Sequence, residues 1–202
     1  MSYLRPTEEL EVIDVIKNSQ FIANTAIVES RAEGLAFVQA IKAQHPNANH
    51  SCHCFIAGAP EDAATWSYSD DGEPKGTAGQ PMFQVLKHSG IGNLCVVVTR
   101  YFGGIKLGTG GIARAYSSLV KQALAATPTV HVERKAHFTL DIPFDLTGFV
   151  EQALTRTPQV GVLARDWHSE GQRLCLSIEV PSVESFNDAL SAYAHRLALK
   201  PK

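Results

Sequence analysis

Two tetrapeptides carry the sharpest chemical signal in the chain. Gly76-Thr77-Ala78-Gly79 and Gly108-Thr109-Gly110-Gly111 both stand where a helix is expected to begin. The first turn of a helix leaves backbone N–H groups unpaired and carries the positive end of the dipole, so it attracts anions. Thr77 and Thr109 have the hydroxyl of a capping residue, and the glycines let a phosphate approach with no Cβ in its path. Lys75 precedes the first copy, and Lys106 and Arg114 bracket the second. The same residue types also build ordinary turns and caps, and that alternative stays open.

Three further segments have residue types that could do chemistry. Arg100-Tyr101-Phe102-Gly103-Gly104 places a guanidinium beside two aromatics and a flexible backbone, which suits stacking on a base with a phosphate contact. Equally, one aromatic fills the core and Arg100 pairs with a nearby acid. The run Ser69-Asp70-Asp71-Gly72-Glu73-Pro74 offers three carboxylates that could hold Mg²⁺, act as acid and base, or neutralise a basic surface. A solvated turn around Asp71-Gly72 is the commoner outcome. His50-Ser51-Cys52-His53-Cys54 has metal-ligand residue types, but on a strand Cys52 and Cys54 face one side and His53 the other. His50 remains a polar candidate at the strand start. No nucleophile elbow, Walker loop, His-Glu-x-x-His or dinucleotide fingerprint occurs. The sequence therefore predicts no catalytic residue, no metal and no cofactor, and an enzymatic role is not the expectation.

Charge and glycine are distributed so as to sharpen the first signal. Residues 1–73 hold eleven of the twenty acids, whereas 74–132 contain none. That acid-free stretch carries Lys75, Lys87, Arg100, Lys106, Arg114 and Lys121, and ten of the fifteen glycines lie between Gly72 and Gly111. Net charge is only −2 over 202 residues, so the chain as a whole is not basic. No apolar run reaches the length of about 18 residues that spans a bilayer, and the acidic N-terminus has no apolar signal region. Four cysteines without a disulfide framework suit a reducing cytosol, so a cytoplasmic protein with no membrane partner is expected.

The elements that must position these groups follow from pattern. Strands are predicted at 11–17 and 21–28, then a helix capped by Ser30 running to about Gln44. A strand at 51–59, a short one at 68–69 and a short helix at 81–88 come next. The apolar run Leu94–Arg100 reads as a strand buried on both faces. Thr109 is expected to cap a long helix reaching Ala126, with Ile112, Tyr116, Leu119 and Ala123 facing the core. Ala126-Thr127-Pro128-Thr129 reads as a linker, dividing a domain at 1–128 from one at 129–202. Beyond it the order β-α-β-β-α-β is the ferredoxin-like pattern.

Two long segments, SDDGEPKGTAGQPM at 69–82 and VVVTRYFGGIKLGTGG at 96–111, with His50 and Cys52 upstream, resemble the IMPACT family, in its bacterial YigZ-like branch. The resemblance spans the whole chain. It implies an α+β two-domain protein: an N-terminal β-α domain of the ribosomal-protein and elongation factor G domain IV type, and a C-terminal domain similar to elongation factor G domain V. Eukaryotic relatives bind a ribosome-associated activator of a stress kinase and regulate translation initiation. The function expected here is a non-catalytic, nucleic-acid- or ribosome-associated protein acting on translation, with RNA or the ribosome as partner. The anion-binding candidates are Lys75, Gly76, Thr77, Gly79, Arg100, Tyr101, Gly103, Gly104, Lys106, Thr109, Gly110, Gly111, Arg114 and Lys121. His50, Asp70, Asp71 and Glu73 form a possible acidic or polar site. The alternatives are a phosphate- or nucleotide-binding enzyme using the glycine-rich helix starts, and a protein-interaction module of a translational stress response.

Overall fold

The computed structural model describes residues 2–202, which separate into two compact units, one spanning Tyr3–Val132 and one built on Glu133–Lys202. The fold is α+β, with three sheets and five α-helices among the described residues.

The first unit contains β1 (Tyr3–Pro6), β2 (Glu11–Ile16), β3 (Ser19–Ile27), α1 (Arg31–Gln44), β4 (His50–Ile56), β5 (Trp66–Ser69), α2 (Gly79–Lys87), β6 (Leu94–Tyr101), α3 (Thr109–Ala126) and β7 (Thr129–Val132). Its main sheet has the order β2-β3-β6-β4-β5, and every pairing in it is antiparallel. The β2–β3 connection is tight, with Lys17 and Asn18 both at positive φ. Ser30 caps α1 as expected, its hydroxyl accepting the Glu33 N–H, while the Glu33 carboxylate reaches back to the Glu29 N–H. Helix α1 covers one face of the sheet, where Val38 and Ile41 meet Phe55, Cys95 and Val97. Helices α2 and α3 cover the other, where Met82, Leu86, Tyr116 and Leu119 meet Cys52, Cys54, Val96 and Val98. Successive residues of β6 thus enter two different cores. That explains a continuous apolar run in an antiparallel strand, and it makes this short strand the anchor of everything attached to its end.

The break between the units falls four residues later than the sequence predicts. Thr129–Val132 is not linker but strand β7, paired with β1. Thr127 is held by its N–H and its hydroxyl to the Ala123 carbonyl, and the Pro128 carbonyl accepts the Thr7 N–H.

The second unit runs β8 (Lys135–Pro143), α4 (Thr147–Arg156), β9 (Val160–His168), β10 (Gly171–Glu179), α5 (Val183–Ala189) and β11 (Lys200–Pro201). Its antiparallel sheet has the order β11-β8-β10-β9. Leu140, Ile142, Leu174, Leu176 and Ile178 alternate onto one face, where Val150 of α4 and Phe186 of α5 complete the core. The last helix is shorter than the predicted 183–195, ending at Ala189 before a 3₁₀ turn at Ser191–Tyr193. The final pairing lies at 200–201 rather than at 197–199. Among the described residues no helix is long and apolar enough to cross a membrane.

Candidate functional site

Every residue singled out for chemistry lies in the first unit, and the two glycine-threonine tetrapeptides meet different fates. At the start of α2 the site is already filled. One Asp70 oxygen accepts the N–H groups of Ala78 and Gly79 at 3.0 and 2.8 Å, and the other accepts that of Gly76 at 2.7 Å. The first tetrapeptide thus does bind an anion, but the anion is the protein's own. Burial raises the Asp70 pKa, yet the three amides outweigh it and hold the carboxyl below its usual range. Thr77 does not cap; it is buried and its hydroxyl donates to the Pro74 carbonyl, while Ala78 holds the cap position. Gly79 has no room for a side chain, since a Cβ would come within 2.5 Å of the Ser69 backbone. Lys75 stays exposed on the turn before it.

The start of α3 is open. Gly108, not Thr109, sits at the cap, with φ of 72°, and no side chain bonds across it. That left-handed conformation favours glycine. The Ile112 N–H bonds the Gly108 carbonyl, which leaves the N–H groups of Thr109, Gly110 and Gly111 without a protein partner among the described residues. Lys106 is exposed beside them with no acidic neighbour, and the Arg114 guanidinium lies back along the first turn, Nη1 3.5 Å from where a Cβ on Gly110 would sit. Lys121 is exposed two turns further along the face that carries Arg114.

The three acids diverge instead of converging. Asp70 caps α2 as described. Asp71 pairs with Lys42 at 2.5 Å and accepts the Ser51 N–H at 2.7 Å; burial opposes ionisation there, but those contacts win and lower its pKa. Glu73 is buried and bonds the Arg100 Nη1 at 2.7 Å and the Tyr116 hydroxyl at 2.9 Å. Among the described residues no group of three His, Cys, Asp or Glu side chains is placed to hold a metal ion. Of the readings open for Arg100, the structure takes the pairing with an acid: the side chain is only 5% exposed. It is therefore not part of a continuous surface with Arg114 and Lys121. Tyr101 is half-buried with its hydroxyl on His45. Gly103 lies so close to the Asn18 carbonyl that a Cβ would overlap it, while Gly104 is exposed and unencumbered.

Two clefts flank Leu107. One, of about 410 Å³, is bordered by His50, Pro74, Arg100, Phe102, Lys106 and the Gly108–Thr109 helix start. The other, of about 340 Å³, is bordered by Ile16, Lys17, Gly111 and Arg114. His50 enters the first with its orientation fixed: a carbonyl can only accept, so Nδ1 carries the proton donated to the Asp71 oxygen, and Nε2 lies 3.9 Å from the Glu73 carboxylate. The buried Glu73–Arg100–Tyr116 network was not legible in the sequence, where Tyr116 reads as core and nothing reports that its hydroxyl needs an acceptor.

His53 faces away from Cys52 and Cys54, as strand alternation requires. It is 8% exposed with neither ring nitrogen bonded. Burial, assisted by Lys42, lowers its pKa to about 4. The unfolded chain takes up the proton near 6.5 and the native one only near 4, so stability is lost as pH falls through that window. The loss should reach about 3 kcal/mol. Replacing His53 by phenylalanine should flatten the dependence of the melting temperature on pH between about 6.5 and 4; an unchanged slope would show that His53 is solvated.

The chain matches the Impact N-terminal domain family over residues 17–124. It is 43% identical to the IMPACT family member YigZ of Escherichia coli over 148 residues, 73% of this chain and 72% of that protein. It is 40% identical to an IMPACT family member of Haemophilus influenzae over 190 residues, 94% and 91% of the two chains. A solved structure described as that of a hypothetical protein superposes with a TM-score of 0.71 at 35% identity, covering 98% of this chain and 96% of that one. The chain belongs to the IMPACT family, among its bacterial YigZ-like members.

Proposed function

We propose that this protein acts in the regulation of translation as a non-catalytic cytoplasmic binding protein, contacting RNA or the ribosome through the open N-terminal end of α3. One observation carries the reading: three unpaired amides stand beside Lys106 and Arg114, with Lys121 further along the helix, in a stretch of chain that contains no acid. The acids of the loop before α2, Asp70, Asp71 and Glu73, are each engaged by other groups. An anionic partner therefore meets positive charge without displacing an internal ion pair. The element order β-α-β-β-α-β and the sheet order of the second unit support a ferredoxin-like domain of the elongation factor G domain V kind, and we propose the domain IV-like kinship for the first unit.

The experiment is co-sedimentation with ribosomes at about 50 and 200 mM salt. Three phosphate contacts, from Lys106, Arg114 and Lys121, should weaken binding roughly 20- to 40-fold across that range. Binding that ignores salt would point to an uncharged protein contact and favour the interaction-module alternative.

A further inference from the structure

We propose that the cleft of about 410 Å³ beside the α3 N-terminus binds a nucleoside 5′-monophosphate, either free or as the terminal or unpaired residue of an RNA strand. The proposal rests on reading the α3 N-terminus as the contact point for an anionic partner, and it names what that end of the helix holds. The volume suits one small ligand and is too small for a duplex. The cleft has two chemically distinct ends. At one, Gly108 presents no side chain, the N–H of Thr109 at the helix start has no partner among the described residues, and Lys106 is exposed. That end suits a phosphate carrying two negative charges.

The other end is apolar and aromatic. The Phe102 ring is 46% exposed, with Leu107, Ile112 and Pro74 nearby. Arg100 adds an observation independent of the helix. Its guanidinium borders the cleft while 95% buried; Nη1 is taken by Glu73, but Nε has no partner, and the group lies 5.6 Å from the Phe102 ring centroid. A cation held against this aromatic wall favours a second flat π-system stacking there. The Asn49 carbonyl oxygen is occupied by the Phe102 N–H, which leaves its amide nitrogen for an acceptor on a base edge. A sugar phosphate without a base has no flat ring to set against the exposed Phe102.

The test is calorimetry of the intact protein with the four nucleoside 5′-monophosphates, using the nucleosides and inorganic phosphate as controls. At least one monophosphate should bind at least about tenfold more tightly than its nucleoside or phosphate alone. Phe102→Ala and Lys106→Ala, both at exposed positions, should each weaken it about fivefold or more, while Lys135→Ala, exposed in the second unit, stays within about twofold. Circular dichroism confirms that the variants fold. Competition with RNA hexamers bearing a 5′-phosphate or a 5′-hydroxyl then separates the two sources. Displacement by the phosphorylated hexamer assigns the site to an RNA end, and indifference to both assigns it to the free nucleotide. No binding by any monophosphate, equal binding of nucleoside and monophosphate, or indifference to both substitutions would overturn the proposal. Ribosome sedimentation that persists in such a case leaves the surface reading standing. Nucleotide binding without sedimentation removes the ribosome and leaves the cleft.

Discussion

Replacing Asp70 by alanine is expected to lower the melting temperature of the first unit by roughly 6–12 °C. The carboxylate accepts three N–H groups that bracket the start of α2, and no other side chain in that turn offers them an acceptor. Charge-assisted hydrogen bonds contribute about 1.5–3 kcal/mol each, and three that share one group are worth about 3 kcal/mol together, allowing for their non-additivity. For a protein of this size each kcal/mol moves the transition by about 2–4 °C. Asp70→Asn should fall about halfway. It keeps one oxygen for Ala78 and Gly79, but sets an NH₂ against the Gly76 N–H. Because the folded pKa is depressed, this stabilisation is present above pH about 4 and disappears as pH falls below it. Melting curves of wild type and both variants at neutral and acid pH provide the check. A loss under about 1 °C at neutral pH would show that the amides find water as readily as Asp70.

Removing Glu73 alone should be the most damaging single change in the site. Glu73→Leu strands the Arg100 guanidinium in a position only 5% exposed and leaves the Tyr116 hydroxyl without its acceptor. An uncompensated buried charge costs about 3–5 kcal/mol. The double variant Glu73→Leu with Arg100→Met removes both charges and keeps the volume, so it should recover most of the loss. Denaturant unfolding of the two single variants and the double variant measures the coupling. Strictly additive losses would mean that the pair is solvated and that Arg100 is free to leave the cleft border for a ligand.

The elements were legible because their patterns are local. Ser30 marks the start of α1, and the apolar run of β6 announces a strand covered on both faces. The last strand of the first unit was not, because Thr129–Val132 is only four residues long and mostly exposed, too short a Thr-Val-His-Val alternation to stand out after Pro128. The candidate site was half legible. Gly108 to Gly111 begins α3 where the glycine pattern placed a helix start, though Gly108 rather than Thr109 holds the cap. Gly76 to Gly79 looks the same in sequence, and only the path of the loop from Asp70 to Gly79 closes it with a carboxylate. Arg100 and Glu73 are 27 residues apart, and Tyr116 is 43 residues from Glu73. A buried network between strand, loop and helix leaves no periodic trace. Phe102, which borders the cleft, reads in sequence only as one of two adjacent aromatics.

The claim that the α3 N-terminus faces an anionic partner is tested most directly by the salt dependence of ribosome or RNA binding in wild type and in the Arg114→Ala, Lys121→Ala double variant. Both side chains are exposed and make no ion pair among the described residues, so the fold should survive their loss. Each phosphate contact contributes about 0.9 to the slope of log affinity against log salt on duplex, or about 0.7 on single strands. The double variant should therefore bind more weakly at low salt and show a slope shallower by about 1.4 to 1.8. Equal slopes for the two proteins, or no wild-type binding at low salt, would contradict the account.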